Sequence, residues 1–126
     1  MSAYAAAPTT AYKQQSILTA TPGQLVVMLY DGCLRFLNQS AHAMREGNLA
    51  EAGTRMARGE AIIEELLSTL DLEQGGVIAS RLQGIYVFCH RQLMEARLER
   101  DADKIDSVVR LLGELRESWA QVAANA

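Results

Sequence analysis

The stretch NLAEAGTRMARGEAIIEELLSTL, running from Asn48 to Leu70, decides the fold. Its apolar or small residues fall at Leu49, Ala52, Met56, Gly59, Ile63, Leu66 and Leu70, in alternating steps of three and four without a slip. That spacing gathers them on one stripe of an α-helix, and a stripe of this kind must face other helices. Asn48 is placed to cap the helix, with Glu51 three residues later completing a capping-box pattern.

The same grammar extends in both directions. Upstream, Thr21-Pro22-Gly23-Gln24 reads as a cap, a proline at the first helical position and the far half of a capping box. The apolar run then continues to about Met44, and Gly47 ends it. Downstream, Gly75-Gly76 breaks the chain after Asp71-Leu72-Glu73-Gln74. A third helix carries Ile78, Leu82, Ile85, Cys89, Leu93 and Ala96. Asp101 and Asp103 offer caps for a fourth, whose seam is Ile105, Val108, Leu112, Leu115, Trp119 and Val122. No alternating strand pattern with hairpin signals occurs. Connections this short favour antiparallel neighbours, so residues 21–126 are expected to form an all-α, up-down-up-down four-helix bundle. Residues 1–20 stand apart: rich in alanine and threonine, with Lys13 their only charge, they are expected to form a mobile N-terminal arm with a short helix near Tyr12.

Composition narrows the function. The chain has 126 residues and a formal net charge of -3, which suits one small domain and gives no basic footprint for nucleic acid or anionic lipid. The N-terminus lacks the basic and leucine-rich regions of a secretory signal. No apolar run is long enough to span a bilayer, so the cytoplasm is the expected compartment. Cys33 and Cys89, each in an apolar stretch, read as buried, inert thiols.

The residue constellations that catalysis needs do not occur. Gly75-Gly76 is followed by Val77-Ile78, not by the lysine and hydroxyl of a phosphate loop. His42 and His90 have no second histidine at ligand spacing, so neither a metal nor another cofactor is expected. Glu64-Glu65 and Glu114 with Glu117 read as solvated faces. Glu51-Arg55 and Asp106-Arg110 are spaced as ion pairs along a helix, a pattern worth ~0.2–0.5 kcal/mol each.

The informative asymmetry lies between helices. The second and fourth have narrow apolar stripes, whereas the first reads Leu-Val-Val-Met-Leu-Tyr-Asp-Gly-Cys-Leu-Arg-Phe-Leu from Leu25 to Leu37, with Asp31 and Arg35 its only charges. The third has a similar excess at Ile85-Tyr86-Val87-Phe88-Cys89. Three neighbours in a small bundle cover only part of such a helix, and a large exposed apolar patch is unusual in a monomer. Four further side chains hidden by a partner, at about 1.5–3 kcal/mol each, would supply roughly 6–12 kcal/mol before association costs. The cover could be the N-terminal arm, a second copy of the chain or an amphipathic segment of another protein. Gly32 reads as a point of close helix approach, and Asp31 as structural.

The ordered set Ala11-Tyr12-Lys13-Gln14-Gln15-Ser16-Ile17-Leu18-Thr19-Ala20, Thr21-Pro22, Met28-Leu29-Tyr30-Asp31-Gly32, Leu70-Asp71 with Gly75-Gly76, and Glu114-Leu115-Arg116-Glu117-Ser118-Trp119 resembles the flagellar export chaperone FliS family across about residues 11–120. The resemblance implies a cytoplasmic, non-enzymatic helical bundle that binds the disordered C-terminal segment of flagellin. It implies that binding holds back polymerisation and aids delivery to the export gate protein FlhA, with the anti-sigma factor FlgM a further partner in some members. Tyr12 matches the arm tyrosine that the family uses in gate and substrate interactions, and Ile17 and Leu18 would anchor the arm. Thr9 stands where family members can carry an apolar residue. From the apolar pattern, Leu25, Met28 and Leu29 on the first helix and Tyr86 on the third are the candidate groove residues. The competing readings are a histidine phosphotransfer bundle, for which neither His42 nor His90 has the expected lysine nearby, and a structural homo-oligomer. The expected state without a partner is a monomer or weak dimer.

Overall fold

Each helix begins where a side chain can take up its first free backbone N–H groups. In the computed structural model, which describes residues 19–125, the order is α1 (Pro22–Arg45), α2 (Leu49–Ser68), α3 (Leu72–Glu99) and α4 (Ala102–Asn125). The capping box of α1 is complete: Gln24 N donates to Thr21 Oγ1 at 3.2 Å and Thr21 N donates to Gln24 Oε1 at 2.9 Å. That of α2 is half formed. Asn48 Oδ1 accepts from Glu51 N at 3.2 Å, while the Glu51 carboxylate turns to Arg55 at 2.6 Å. Asp71 caps α3 by accepting from Glu73 N and Gln74 N, and Asp101 accepts from Asp103 N at the start of α4. Among the described residues every regular element is helical.

The directions alternate, as cross-links between helices establish. Ser40 Oγ donates to the Ala52 carbonyl at 2.7 Å and Cys33 Sγ to that of Gly59 at 3.5 Å, so α2 runs back along α1. The end of α1 pairs through Arg45 with Asp103 and Asp106 near the start of α4, and Asp31 pairs with Arg116 near its end. Asp106 is therefore held by Arg45 instead of the Arg110 expected from sequence, because the neighbouring helix brings a guanidinium to 2.6 Å.

Small residues let α1 and α2 approach closely. A Cβ at Gly59 would lie 2.7 Å from Leu37 Cδ2, inside contact distance, and one at Gly32 would lie 3.3 Å from Ile62 Cδ1. The central core joins Tyr30, Cys33 and Leu37 to Met56 and Ile63, to Cys89 and Leu93, and to Ile105, Val108 and Leu112. Both thiols are fully buried and unpaired, and loss of hydration pushes each up to about 12, which keeps them protonated and inert. Helix α3 lies farther from its neighbours than α1 does from α2 and α4. Its last third is fastened by ion pairs from Arg97 to Glu60 and from Lys104 to Glu95 and Glu99.

Candidate functional site

The continuous seams of α2, α3 and α4 lose their cover at one end of the bundle. The cause is local. Gly76 adopts φ 55° and ψ -131°, a conformation open to glycine but strained for other residues, and it interrupts α3 after its first turn. The seam residues beside it then change environment over a short distance. Leu66 and Leu82 remain buried, Leu70 is half-buried, and Ile78 is 72% exposed. Between them opens an apolar groove of about 550 Å³. Leu66 and Leu70 form one wall, Ile78 and Leu82 the other, with Val26 and Trp119 closing it from α1 and α4 and Asp71 and Gln74 on the rim.

The floor is polar in one place. Tyr86 lines the groove yet is only 1% exposed, and its hydroxyl lies 2.5 Å from that of Tyr30. Trp119 Nε1 donates to Tyr30 Oη at 3.2 Å. This chain ties α3 to α1 and α4. Burial pushes both phenols above their ordinary range, so they act as neutral hydrogen-bonding groups.

The candidate residues read from sequence separate in space. Met28 lines a shallower apolar furrow of about 350 Å³ between α1 and α4, with Val27, Ala120, Ala123 and Ala124. Leu25 is exposed on the same helix, Leu29 is partly buried against the core, and Tyr86 lies beneath the groove. Tyr12, Ile17 and Leu18 lie outside the described residues. The sequence places apolar excess on the first and third helices: α2 and α4 flank α1 closely, with Leu25 and Met28 still exposed on it, while α3 exposes Val77, Ile78, Val87, Phe88, Met94 and Leu98. Val26, Leu66, Leu70, Ile78, Leu82 and Trp119 were not singled out as groove residues. In the sequence five of them read only as seam residues or as part of a motif, because a three-four repeat does not mark where helices part. The signal that could have marked the place is Gly75-Gly76 set between two seams.

The histidines have no catalytic setting. His42 is exposed. His90 faces Glu60 and Glu64, with Nε2 3.0 Å from a Glu64 oxygen but off the line a hydrogen bond requires. Two carboxylates there would repel an incoming phosphoryl group. Among the described residues no set of three His, Cys, Asp or Glu side chains is placed to hold a metal ion, and no helix is long and apolar enough to cross a membrane.

A helical bundle with an apolar groove at one end and no metal cluster among the described residues fits a class of protein that works by holding another chain. Comparison with known families then identifies which. Residues 4–126 match the family described as flagellar protein FliS. The chain is 36% identical to the flagellar secretion chaperone FliS of Campylobacter jejuni, over 91% of this chain and 90% of that one. It is 34% identical to the protein of the same name from Salmonella typhimurium, over 98% and 95%, and 32% identical to that of Bacillus subtilis, over 90% and 84%. The chain belongs to the FliS family, a family of flagellar secretion chaperones and not of enzymes.

Proposed function

We propose that this chain binds the disordered C-terminal segment of flagellin in the cytoplasm, keeps it from polymerising and presents it to the export gate protein FlhA. The observation that carries the reading is the apolar groove at the open end of the bundle, where Ile78 is 72% exposed beside Leu66, Leu70, Leu82 and Trp119. A segment destined to pack into a filament needs an apolar face, and until it does so that face needs a substitute surface. A preformed groove confines the ordering cost of binding to the client.

In this reading the segment enters the groove and passes on to the furrow at Met28, with Leu25 beside it, as a second contact. Tyr12 of the N-terminal arm serves the gate, and Ile17 and Leu18 anchor the arm over the groove when no client is bound. α1 starts at Pro22 and gives Val26 to the groove, so the arm joins the bundle close to the groove. FlgM is a further partner by family resemblance. Titration calorimetry against the C-terminal segment of the same organism's flagellin tests the proposal. Tight 1:1 binding with a large negative heat-capacity change is expected; no binding to a complete, soluble segment would overturn it.

A further inference from the structure

The polar chain under the groove has more donors than bonds. Trp119 Nε1–H, Tyr30 Oη–H and Tyr86 Oη–H are three donors, and the chain contains two hydrogen bonds, Trp119 to Tyr30 and the one between the tyrosines. Each bond uses one hydrogen. One hydroxyl hydrogen is therefore left over, on a side chain that is at most 1% exposed. Which hydroxyl keeps it follows from polarisation. Either hydroxyl can donate across the contact between them; because Tyr30 accepts from the indole, and a hydroxyl that accepts becomes the better donor, polarisation favours donation from Tyr30 to Tyr86. In that arrangement the surplus hydrogen is on Tyr86, the tyrosine that lines the groove.

We propose that Tyr86 Oη–H is a directed polar contact of the groove, donating to an oxygen acceptor carried by the bound segment. The inference rests on the reading of the groove as the client site and adds a recognition rule to it. The walls at Leu66, Leu70, Ile78 and Leu82 select apolar side chains without regard to register. A buried donor in the floor sets register, because a segment that places only carbon over it leaves the hydrogen unpaired, and an unpaired buried donor is costly. The occupant is thus an apolar segment with one acceptor at a fixed position, either a side-chain oxygen or a backbone carbonyl freed at a helix end or in an extended stretch.

Calorimetry with the flagellin C-terminal segment on the full chain, its Tyr86→Phe variant and its Tyr30→Phe variant tests this. Tyr86→Phe should weaken binding about tenfold, the worth of one hydrogen bond. Tyr30→Phe breaks both bonds of the same chain but keeps the Tyr86 donor, so it reports loosening of the floor alone and should lose clearly less affinity than Tyr86→Phe. Equal affinity for Tyr86→Phe and parent overturns the proposal, and so does an equal loss in both variants, which would reflect general loosening of the floor. If the parent itself does not bind, the client assignment fails first. Replacing each polar residue of the segment by an apolar one then locates the acceptor. One replacement reproducing the tenfold loss identifies a side chain; none doing so while Tyr86→Phe still weakens binding identifies the backbone.

Discussion

Replacing Ile78 by aspartate separates the groove from the core. Ile78 is 72% exposed, so little of its apolar surface supports the fold. A side chain of its size contributes about 1.5–3 kcal/mol when fully buried, and the covered quarter corresponds to ~0.4–0.8 kcal/mol. The new carboxylate would sit near the start of the regular part of α3, where helix dipoles favour negative charge. The variant should therefore fold, with a far-ultraviolet spectrum like the parent's and a small loss of stability in urea. Binding responds differently. A client filling the groove hides the exposed part of Ile78, worth ~1–2 kcal/mol, and the aspartate adds about 1–3 kcal/mol for a polar group pressed into apolar contact. The combined loss of ~2–5 kcal/mol raises Kd at least thirtyfold at about 1.4 kcal/mol per decade. Leu98→Gln is the control, since Leu98 is 77% exposed on the same helix but not part of the groove. Calorimetry should show Leu98→Gln binding like the parent. Unchanged binding by Ile78→Asp, or an equal loss in Leu98→Gln, would refute the assignment of the groove.

Four other expectations follow from the packing. Met28→Asp should keep its helix content and weaken the client less than Ile78→Asp, whereas Leu29→Asp, packed on the core, should lose about 2–5 kcal/mol of stability in denaturant melts. Gly53→Ala and Gly113→Ala meet nothing within 4 Å and should each stabilise the bundle by ~0.5–1 kcal/mol in urea titrations. Gly76→Ala forces a strained backbone at φ 55° and should cost about 1–3 kcal/mol or straighten α3, read by thermal melting and hydrogen exchange at residues 72–78. Cys33 and Cys89 are pushed up to about 12 in the folded chain, while unfolded thiols ionise near 8.5–9. The native state then holds more protons than the unfolded state between those values. Stability should fall as pH rises from about 9 toward 12, by up to ~1.4 kcal/mol per pH unit per thiol, and Cys33→Ala with Cys89→Ala should flatten that decline.

Much of the fold was legible because local signals agreed. Thr21, Asn48 and Asp101 each accept a backbone N–H at a helix start, and Met56, Ile63, Leu93, Ile105, Val108 and Leu112 are buried as their spacing requires; the third helix differs, starting at Leu72 with Asp71 as its cap, so that the Gly75-Gly76 break falls within it as a kink at Gly76. The groove was less legible for a physical reason. Periodicity reports the face on which a residue lies and says nothing about the distance to the next helix, so Leu82 and Ile78 look alike in sequence while one is buried and the other exposed. Tyr86 illustrates the same limit. Its neighbours Val87 and Phe88 are exposed, and only the partner hydroxyl of Tyr30, 56 positions away, turns it into the floor of a recess.

The groove can persist without an occupant because α3 is held at two separate places. Toward its C-terminal end, Leu93 and Ala96 are buried and Arg97, Glu95 and Glu99 make ion pairs to α2 and α4. Toward the groove, the hold comes from the Tyr86 hydroxyl through Tyr30 to Trp119. Collapse of Ile78 onto Leu70 would have to strain that short chain of bonds or the Gly76 turn. The open end is thus fixed by directional contacts in addition to apolar packing at Ala79 and Leu82, and its recess has a shape set in advance. Preorganisation of this kind would leave only the occupant to be ordered, which fits the proposed uptake of a disordered segment by a flagellar secretion chaperone.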